Sequence, residues 1–385
     1  MYLQTLYLRQ FRNYQEQLVT FSAPKTILVG ANAQGKSNLL EAVAFLALLK
    51  SYRSTRDREL VCEGAKTGKI RAQVQRDASQ VDLAVTLRAN SRRTVAVNST
   101  NLRRQWEFLG YLKVVQFSSL DLDLVRGSPA QRRHWLDNLL VQLEPFYAHI
   151  RDRYERILRQ RNSLLKEARK QLTSGEIHPQ GERNENIALW NAQLAAAGTQ
   201  VMRRRARALS RLTPIASKWH HAISGGQENL EIHYTPNVKS DNAAVESPEE
   251  IQKQFLYQLE EKAIAEKFQG TTLVGPHRDE VTFAIDRMPV RQFGSQGQQR
   301  TLVLSLKLAE LQLIEEVVGE PPLLLLDDVL AELDPNRQHQ LLEAIQERFQ
   351  TLVTATHLEA FDAHWLQTSQ ILKVDAGEIS IPQSC

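Results

Sequence analysis

The spacing of apolar and polar positions changes period several times along these 385 residues. Residues 2–8 and 17–21 alternate with period two, the spacing of half-buried strands, and 26–29 is a short apolar run. From 38 to 50 the apolar positions fall at helical spacing. Residues 70–74, 81–87 and 94–97 alternate again and predict an antiparallel set completing a first lobe. From 126 to about 215 the period is helical, with Leu136, Leu139, Leu140 and Leu143 on one stripe. Within it the polar stretch 175–186, holding Pro179 and Gly181, predicts a loop between helices. A strand at 230–234, a turn-rich connection at 240–248 and a helix at 249–268 follow. Leu302, Leu306, Ala309 and Leu313 mark a further amphipathic helix. Leu323, Leu324, Leu325 and Leu326 form an unbroken run, the pattern of a strand buried on both faces. Leu352 to Ala355 is a β-branched run that predicts another strand. The whole predicts an α/β domain, its parts 1–125 and 271–385 separated by a helical insert at 126–270, with no internal repeat.

The short polar segments between these runs carry the chemistry. Gly30, Ala31, Asn32, Ala33, Gln34, Gly35, Lys36 and Ser37 read G-x-x-x-x-G-K-S between a predicted strand and a predicted helix, the context a phosphate loop needs. The glycines let successive N–H groups and the helix start face a phosphate, with Asn38 continuing the helix. Lys36 adds a mobile positive charge, and the Ser37 hydroxyl can hold Mg²⁺. Ser295, Gly297 and Gln298 open the later amphipathic helix as a second anion site, this one without a lysine. An ordinary Ser/Gly cap is the plainer alternative. Two phosphate-binding helix ends in one chain suggest that each ATP is held between two copies.

Asp327 and Asp328 end the Leu323 run, placing Asp327 to hold Mg²⁺ and Asp328 to polarise an attacking water. Ala331-Glu332-Leu333-Asp334 reads as a polar loop at a subunit interface. His357, at the tip of the last β-branched run, falls where a γ-phosphate sensor would sit.

Composition sharpens this picture little, but charge distribution does. The net charge is +4, yet residues 126–218 hold 18 Lys/Arg against 8 Asp/Glu, leaving the remainder near −6. Arg203, Arg204, Arg205 and Arg207 are the densest part and the candidate DNA contacts, by salt-sensitive attraction to backbone phosphates rather than base reading. A solvated basic face with scattered Glu partners is the alternative. Cys62 and Cys385 cannot make a disulfide framework, and no Cys/His cluster has zinc spacing. No signal peptide opens the sequence and no apolar run reaches 18 residues, so a cytoplasmic protein without a membrane span is expected.

Taken in order, the phosphate loop, the Ser-x-Gly-Gln-Gln segment, the Asp-Asp strand, the Ala-Glu-Leu-Asp loop and the His strand resemble the ABC-type ATPase heads of the SMC/Rad50 class. Phe11-Arg12-Asn13-Tyr14, Gly127-Ser128-Pro129, Arg132-Arg133, Gly275-Pro276-His277-Arg278-Asp279 and Leu306-Lys307-Leu308-Ala309-Glu310 narrow the likeness to the RecF-like family of bacterial recombination mediators. The insert is too short for the coiled coils of SMC or Rad50 proteins. The 259-residue gap from Lys36 to Ser295 is too long for a transporter subunit. The resemblance implies a discontinuous ABC-type P-loop ATPase head with a helical inserted arm. It also implies a weak ATPase using ATP and Mg²⁺, and an ATP-dependent head-to-tail homodimer. Expected partners are single-stranded, gapped or duplex DNA and RecR/RecO-type mediators, acting in replication, recombinational gap repair and the SOS response. Another ABC switch acting on a protein, or a different SMC/Rad50-class repair ATPase, is the alternative. Two positions depart from the family pattern. Phe117-Ser118-Ser119-Leu120-Asp121-Leu122 lacks the usual Pro and Glu, and Tyr52 stands where His is usual, before the retained Arg53.

Overall fold

The computed structural model describes residues 1–77, 79–174, 181–239, 247–345, 348–359 and 361–381. Period-two alternation yields β1 (Tyr2–Phe11) and β2 (Tyr14–Thr20), while the apolar run before the phosphate loop yields β3 (Lys25–Val29) and leads into α1 (Lys36–Leu48). Next come β4 (Thr67–Gln75), β5 (Gln80–Arg88), β6 (Thr94–Val97), β7 (Thr100–Asn101) and β8 (Val114–Ser118). The helical middle comprises α2 (Asp123–Arg126), α3 (Pro129–Leu143), α4 (Tyr147–Ser174) and α5 (Gly181–Ile223). It continues through β9 (Leu230–Thr235) and α6 (Pro248–Gln269). The C-terminal part holds β10 (Glu280–Ile285), β11 (Met288–Pro289), α7 (Val290–Phe293), α8 (Gln296–Val318) and β12 (Leu323–Asp327). It ends with α9 (Pro335–Ile345), β13 (Thr351–Ala355), α10 (Ala363–Thr368), β14 (Ser369–Asp375) and β15 (Glu378–Ser380).

Two six-stranded sheets form the head. One is antiparallel, ordered β2-β1-β4-β5-β6-β7; the other runs β15-β14-β3-β13-β12-β8 and is parallel except for the β14–β15 hairpin. The second sheet draws β3 and β8 from before the insert and the other four strands from after it, so the head is discontinuous in sequence. Its central strands are apolar throughout because both faces are covered: Leu323, Leu324, Leu325 and Leu326 are all buried. Helix α1 lies between the sheets, touching β8, β12 and β13 on one side and β5 on the other. That burial on opposite sides explains why most of α1 is apolar rather than amphipathic.

The insert departs from its sequence pattern in one place. Residues 181–186, expected in a loop, are the first turns of the 43-residue α5, while 175–180 lie outside the described residues. Residues 240–246 of the expected turn-rich connection also lie outside them. Strand β9 pairs with β10 from Leu230↔Ile285 to Thr235↔Glu280, so hydrogen bonds cross the expected boundary at residue 270. Helix α8 packs against both α5 and β8, joining arm to head. No helix among the described residues is long and apolar enough to cross a membrane.

Candidate nucleotide site

Strands β3, β13, β12 and β8 are parallel neighbours, so the chain leaves all four at the same edge of the sheet. Crevices at that edge are where open α/β sheets take ligands. The topology therefore brings together residues 30–35 after β3, Asp327 and Asp328 at the end of β12, and Thr356 and His357 after β13.

Helix starts differ in a way that matters here. Helices α3, α6 and α8 begin with capping boxes, Ser128 with Gln131, Ser247 with Glu250 and Ser295 with Gln298. Helix α1 begins at Gly35 (φ 118°) with no side-chain cap, so its first N–H groups have none of the usual side-chain acceptors. The loop before it is held from outside. The Asn13 amide donates to Gln34 O (2.9 Å), the Tyr14 hydroxyl donates to Gly35 O (2.9 Å), and Gly377 N donates to Gln34 O (2.9 Å). A Cβ on Gly30 would lie 2.2 Å from Val374 O, so only glycine lets β14 pass this closely. Ala31, Asn32 and Ala33 form the exposed crest. Lys36 is buried, and its ammonium donates to Gly30 O (2.7 Å) and Ala31 O (2.9 Å). Asn38 donates to Asn13 Oδ1 (2.8 Å) and accepts from Arg53 Nη1 (2.9 Å).

Ser37 and Asp327, 290 residues apart, are joined by a 2.7 Å bond from the Ser37 hydroxyl to Oδ1. The Thr354 hydroxyl lies 3.1 Å from the same oxygen and 3.3 Å from Asp328 Oδ1, while Asp328 N donates to it at 2.8 Å. Asp328 has φ 55°, a left-handed turn that ends the strand. A hydroxyl, a carboxylate and an uncapped helix start are the hard oxygen donors and N–H donors that a magnesium nucleotide requires. Gln116, on β8, lines the same cleft as Tyr52, close enough for the two side chains to interact. The residues thus fit the group that the motif implies. His357 is exposed beyond the end of β13, at the same sheet edge.

Ser295 is not joined to this cluster by any hydrogen bond among the described residues. Its hydroxyl accepts from Gln298 N (3.2 Å), Gln298 Oε1 accepts from Ser295 N (2.9 Å), and the other end of that amide donates to Glu228 Oε1 (2.9 Å). Gly297 O accepts from Arg337 Nη2 (3.2 Å), and Arg337 also pairs with Asp334, so the Ala331–Asp334 loop is tied to the start of α8. Ser295 is exposed, and its hydroxyl keeps its own proton for donation outward.

The arginines divide. Arg205 is 4 % exposed, and its guanidinium donates to Asp137 (2.9 and 3.0 Å), Asp279 Oδ2 (3.0 Å) and Pro276 O (2.6 Å). That removes Arg205 from the candidate DNA contacts, because a cation enclosed by two carboxylates presents no charge outward. Arg204 is half-buried and paired with Glu144 (3.0 Å), and Arg203 is half-buried. Only Arg207 of the four is exposed. On the same helix face, four and eleven positions on, Arg211 and Lys218 are exposed too, and Arg153 and Arg156 are exposed on α4. Periodicity within α5 could have separated this outer row from Arg205, had its register been read.

The buried side of that division is built around Gly275–Asp279. Asp279 accepts from Arg205, from the Tyr234 hydroxyl (2.5 Å) and from Asn237 N (2.9 Å), and the Tyr147 hydroxyl donates to Asp137 (2.5 Å). Burial pushes the Asp137 carboxyl up, but the Arg205 charge and these bonds outweigh it and hold it below the usual range. Burial pushes His277 down to about 4, against the Thr272 carbonyl that it bonds and with nearby Arg278, Arg133 and Arg205 adding to the shift. As a neutral ring it can donate from Nε2 to Thr272 O (3.2 Å) and accept from the Tyr154 hydroxyl at Nδ1 (2.6 Å).

A parallel sheet fed from both chain ends, a G-x-x-x-x-G-K-S loop, a strand ending in paired aspartates and a Ser-x-Gly-Gln-Gln segment capping a long helix define an ABC-type P-loop ATPase head of the SMC class. The family described as RecF/RecN/SMC N terminal domain matches residues 2–380. The chain is 62% identical over 379 residues to the DNA replication and repair protein RecF of Acaryochloris marina, covering 98% of this chain and 99% of that one. It is also 62% identical over 379 residues to RecF of Nostoc punctiforme, with the same coverage of each chain. A solved structure of the recombination mediator protein RecF with ATP, in the RecFOR pathway, superposes with TM-score 0.89 at 30% identity, covering 99% of this chain and 98% of that one. The Smc head of Pyrococcus furiosus shares the fold, with TM-score 0.52 at 16% identity. The chain belongs to the RecF family of DNA replication and repair proteins, within the RecF/RecN/SMC group.

Proposed function

We propose that this protein is an ATP-switched DNA clamp, and that the uncapped start of α1 beside the Ser37–Asp327 pair is the observation that carries the reading. Residues 30–38 would cradle the phosphates, Lys36 would leave its loop carbonyls for them, and Ser37 and Asp327 would hold the metal. Bound Mg²⁺ would neutralise the phosphate charge. Asp328, held by Thr354, would orient the attacking water, and His357 would sense the γ-phosphate. Ser295, Gly297 and Gln298, exposed or half-exposed and remote from their own loop's hydrogen bonds, would face the phosphates of a second copy. ATP then joins two monomers head to tail, and hydrolysis, slow and regulatory, reopens them.

Closure would align the exposed rows on α4 and α5 along one duplex or gapped DNA, without base reading. The RecFOR pathway of the solved relative points to RecO- and RecR-type mediators that load recombinase at gaps. Sizing the protein with and without ATP, and with and without a gapped duplex, tests the reading. Dimers should need ATP, and DNA should be retained only with it. Lys36→Ala should abolish both. Ser295→Arg should keep ATP binding in the monomer and lose the dimer, while Asp328→Asn should trap the dimer closed. A Ser295→Arg protein that still dimerises with ATP would sink the shared-site reading. Dimers that ignore DNA would favour a switch acting on a protein.

A further inference from the structure

After α1 the chain turns at Leu49, in a left-handed conformation (φ 50°), and runs back along its own helix. Four contacts hold this return. The Ser51 hydroxyl donates to Glu41 Oε1 (2.5 Å), Arg12 pairs with Glu41 (2.7 Å) and donates to the Ser54 hydroxyl (2.6 Å), and Arg53 donates to Asn38. Glu41 is fully buried, so the anchor is a desolvated ion pair with its geometry set. The return delivers Tyr52 to the start of α1, where its hydroxyl lies 3.2 Å from Asp327 Oδ2 and 3.4 Å from Ser37 O.

Among the described residues Asp327 receives three hydroxyls. Ser37, on Oδ1, is the group that must turn away if it is to hold a metal. Thr354, also on Oδ1, is shared with Asp328. Of these three, only Tyr52 engages Oδ2. We propose that Tyr52 is the positioning residue of the metal site: by holding Asp327 Oδ2 it keeps Oδ1 turned towards Ser37 when the Ser37 hydroxyl is taken up by the metal. The phenol O–H supplies the donor that Asp327 Oδ2 accepts. The role belongs to a residue that departs from the usual His of the family pattern. Gln116 lines the same cleft beside it.

This inference rests on the magnesium–nucleotide reading, and the test separates the two. Mn²⁺ binding is followed by electron paramagnetic resonance in the presence of a non-hydrolysable ATP analogue, for the full chain and for Tyr52→Phe and Tyr52→His. Tyr52→Phe keeps the ring packing and should weaken Mn²⁺ binding by about 10-fold, the scale of losing an outer partner of a metal ligand. Its metal-free nucleotide binding and its melting temperature should match the parent. Tyr52→His keeps an N–H donor and should bind Mn²⁺ more tightly than Tyr52→Phe. Equal Mn²⁺ affinity in the parent and Tyr52→Phe overturns the proposal alone, and so does a Tyr52→Phe loss matched by weaker metal-free nucleotide binding or a lower melting temperature, which assigns the effect to packing instead. A parent that binds no Mn²⁺ with the analogue overturns the nucleotide reading, and this proposal with it.

Discussion

The phosphate-loop edge and the buried cluster around Asp279 are both rich in polar residues, and both lie on conspicuous sequence motifs, yet they are built on opposite terms. Around Asp279 the named partners answer one another. Arg205 meets Asp137 and Asp279, Tyr234 and Asn237 complete Asp279, and Tyr147 completes Asp137. At the sheet edge the bonds are left open to exchange. Lys36 rests on its own loop, Ser37 on a carboxylate, and α1 has no cap. A closed polar network rigidifies, whereas an open one can take a ligand. Hydrogen-bond completeness, more than motif density, separates architecture from chemistry in this chain.

That contrast is breakable by measurement, starting where the effect is largest. Arg205→Ala should leave two buried carboxylates uncompensated and cost about 3–5 kcal/mol in chemical denaturation. Lys36→Ala, by comparison, should cost little stability in nucleotide-free protein, since two loop carbonyls lose a donor at a site open to water. An Arg205→Ala protein as stable as its parent would show that the cluster is not architectural.

Acid should discriminate next. The His277 value is lowered on folding from 6.5 to about 4, so the unfolded chain takes up its proton first. Stability from this group is full above about pH 6.5 and is lost as pH falls towards 4. The loss amounts to up to ~3 kcal/mol at 1.36 kcal/mol per pKa unit. Against His277→Gln, the parent's stability advantage should shrink over that window; a constant difference would contradict the neutral-ring assignment.

The smallest effect concerns the outer arginines. Arg207→Glu with Arg211→Glu should leave the melting temperature within a degree or two, because both side chains are exposed. DNA binding should weaken evenly across sequences, and its salt slope should fall by roughly one for each phosphate no longer neutralised. An unchanged slope would move the DNA surface off α5.

Much of the head was legible because its signals are local. A glycine-rich turn between a short apolar run and a helix, and four leucines before two aspartates, have one good structural solution each. The strands around the phosphate loop lie close to their expected limits for the same reason. The arm was less legible. Residues 181–186 are polar and hold no helical stripe, yet they continue into a helix 43 residues long, where length and packing override composition. In sequence Arg205 looks like its neighbours Arg203, Arg204 and Arg207, since a run of like charges does not say which member turns inward. The approach of Tyr52 to Asp327 and of Gln116 to the same cleft was likewise hidden. Both depend on side chains meeting Asp327 from 275 residues away or lying on an adjacent strand.

By itself, then, the sequence determined the α/β class, the interrupted head, the phosphate loop with its two aspartates and the family, all carried by patterns within a few turns of chain. Tertiary structure alone decided which cations face water, that Gly275–Asp279 closes a buried network, and that one tyrosine bridges Ser37 and Asp327. The reason is physical. Periodicity reports which face of an element is apolar, but a polar group's fate depends on whether a partner reaches it through the fold.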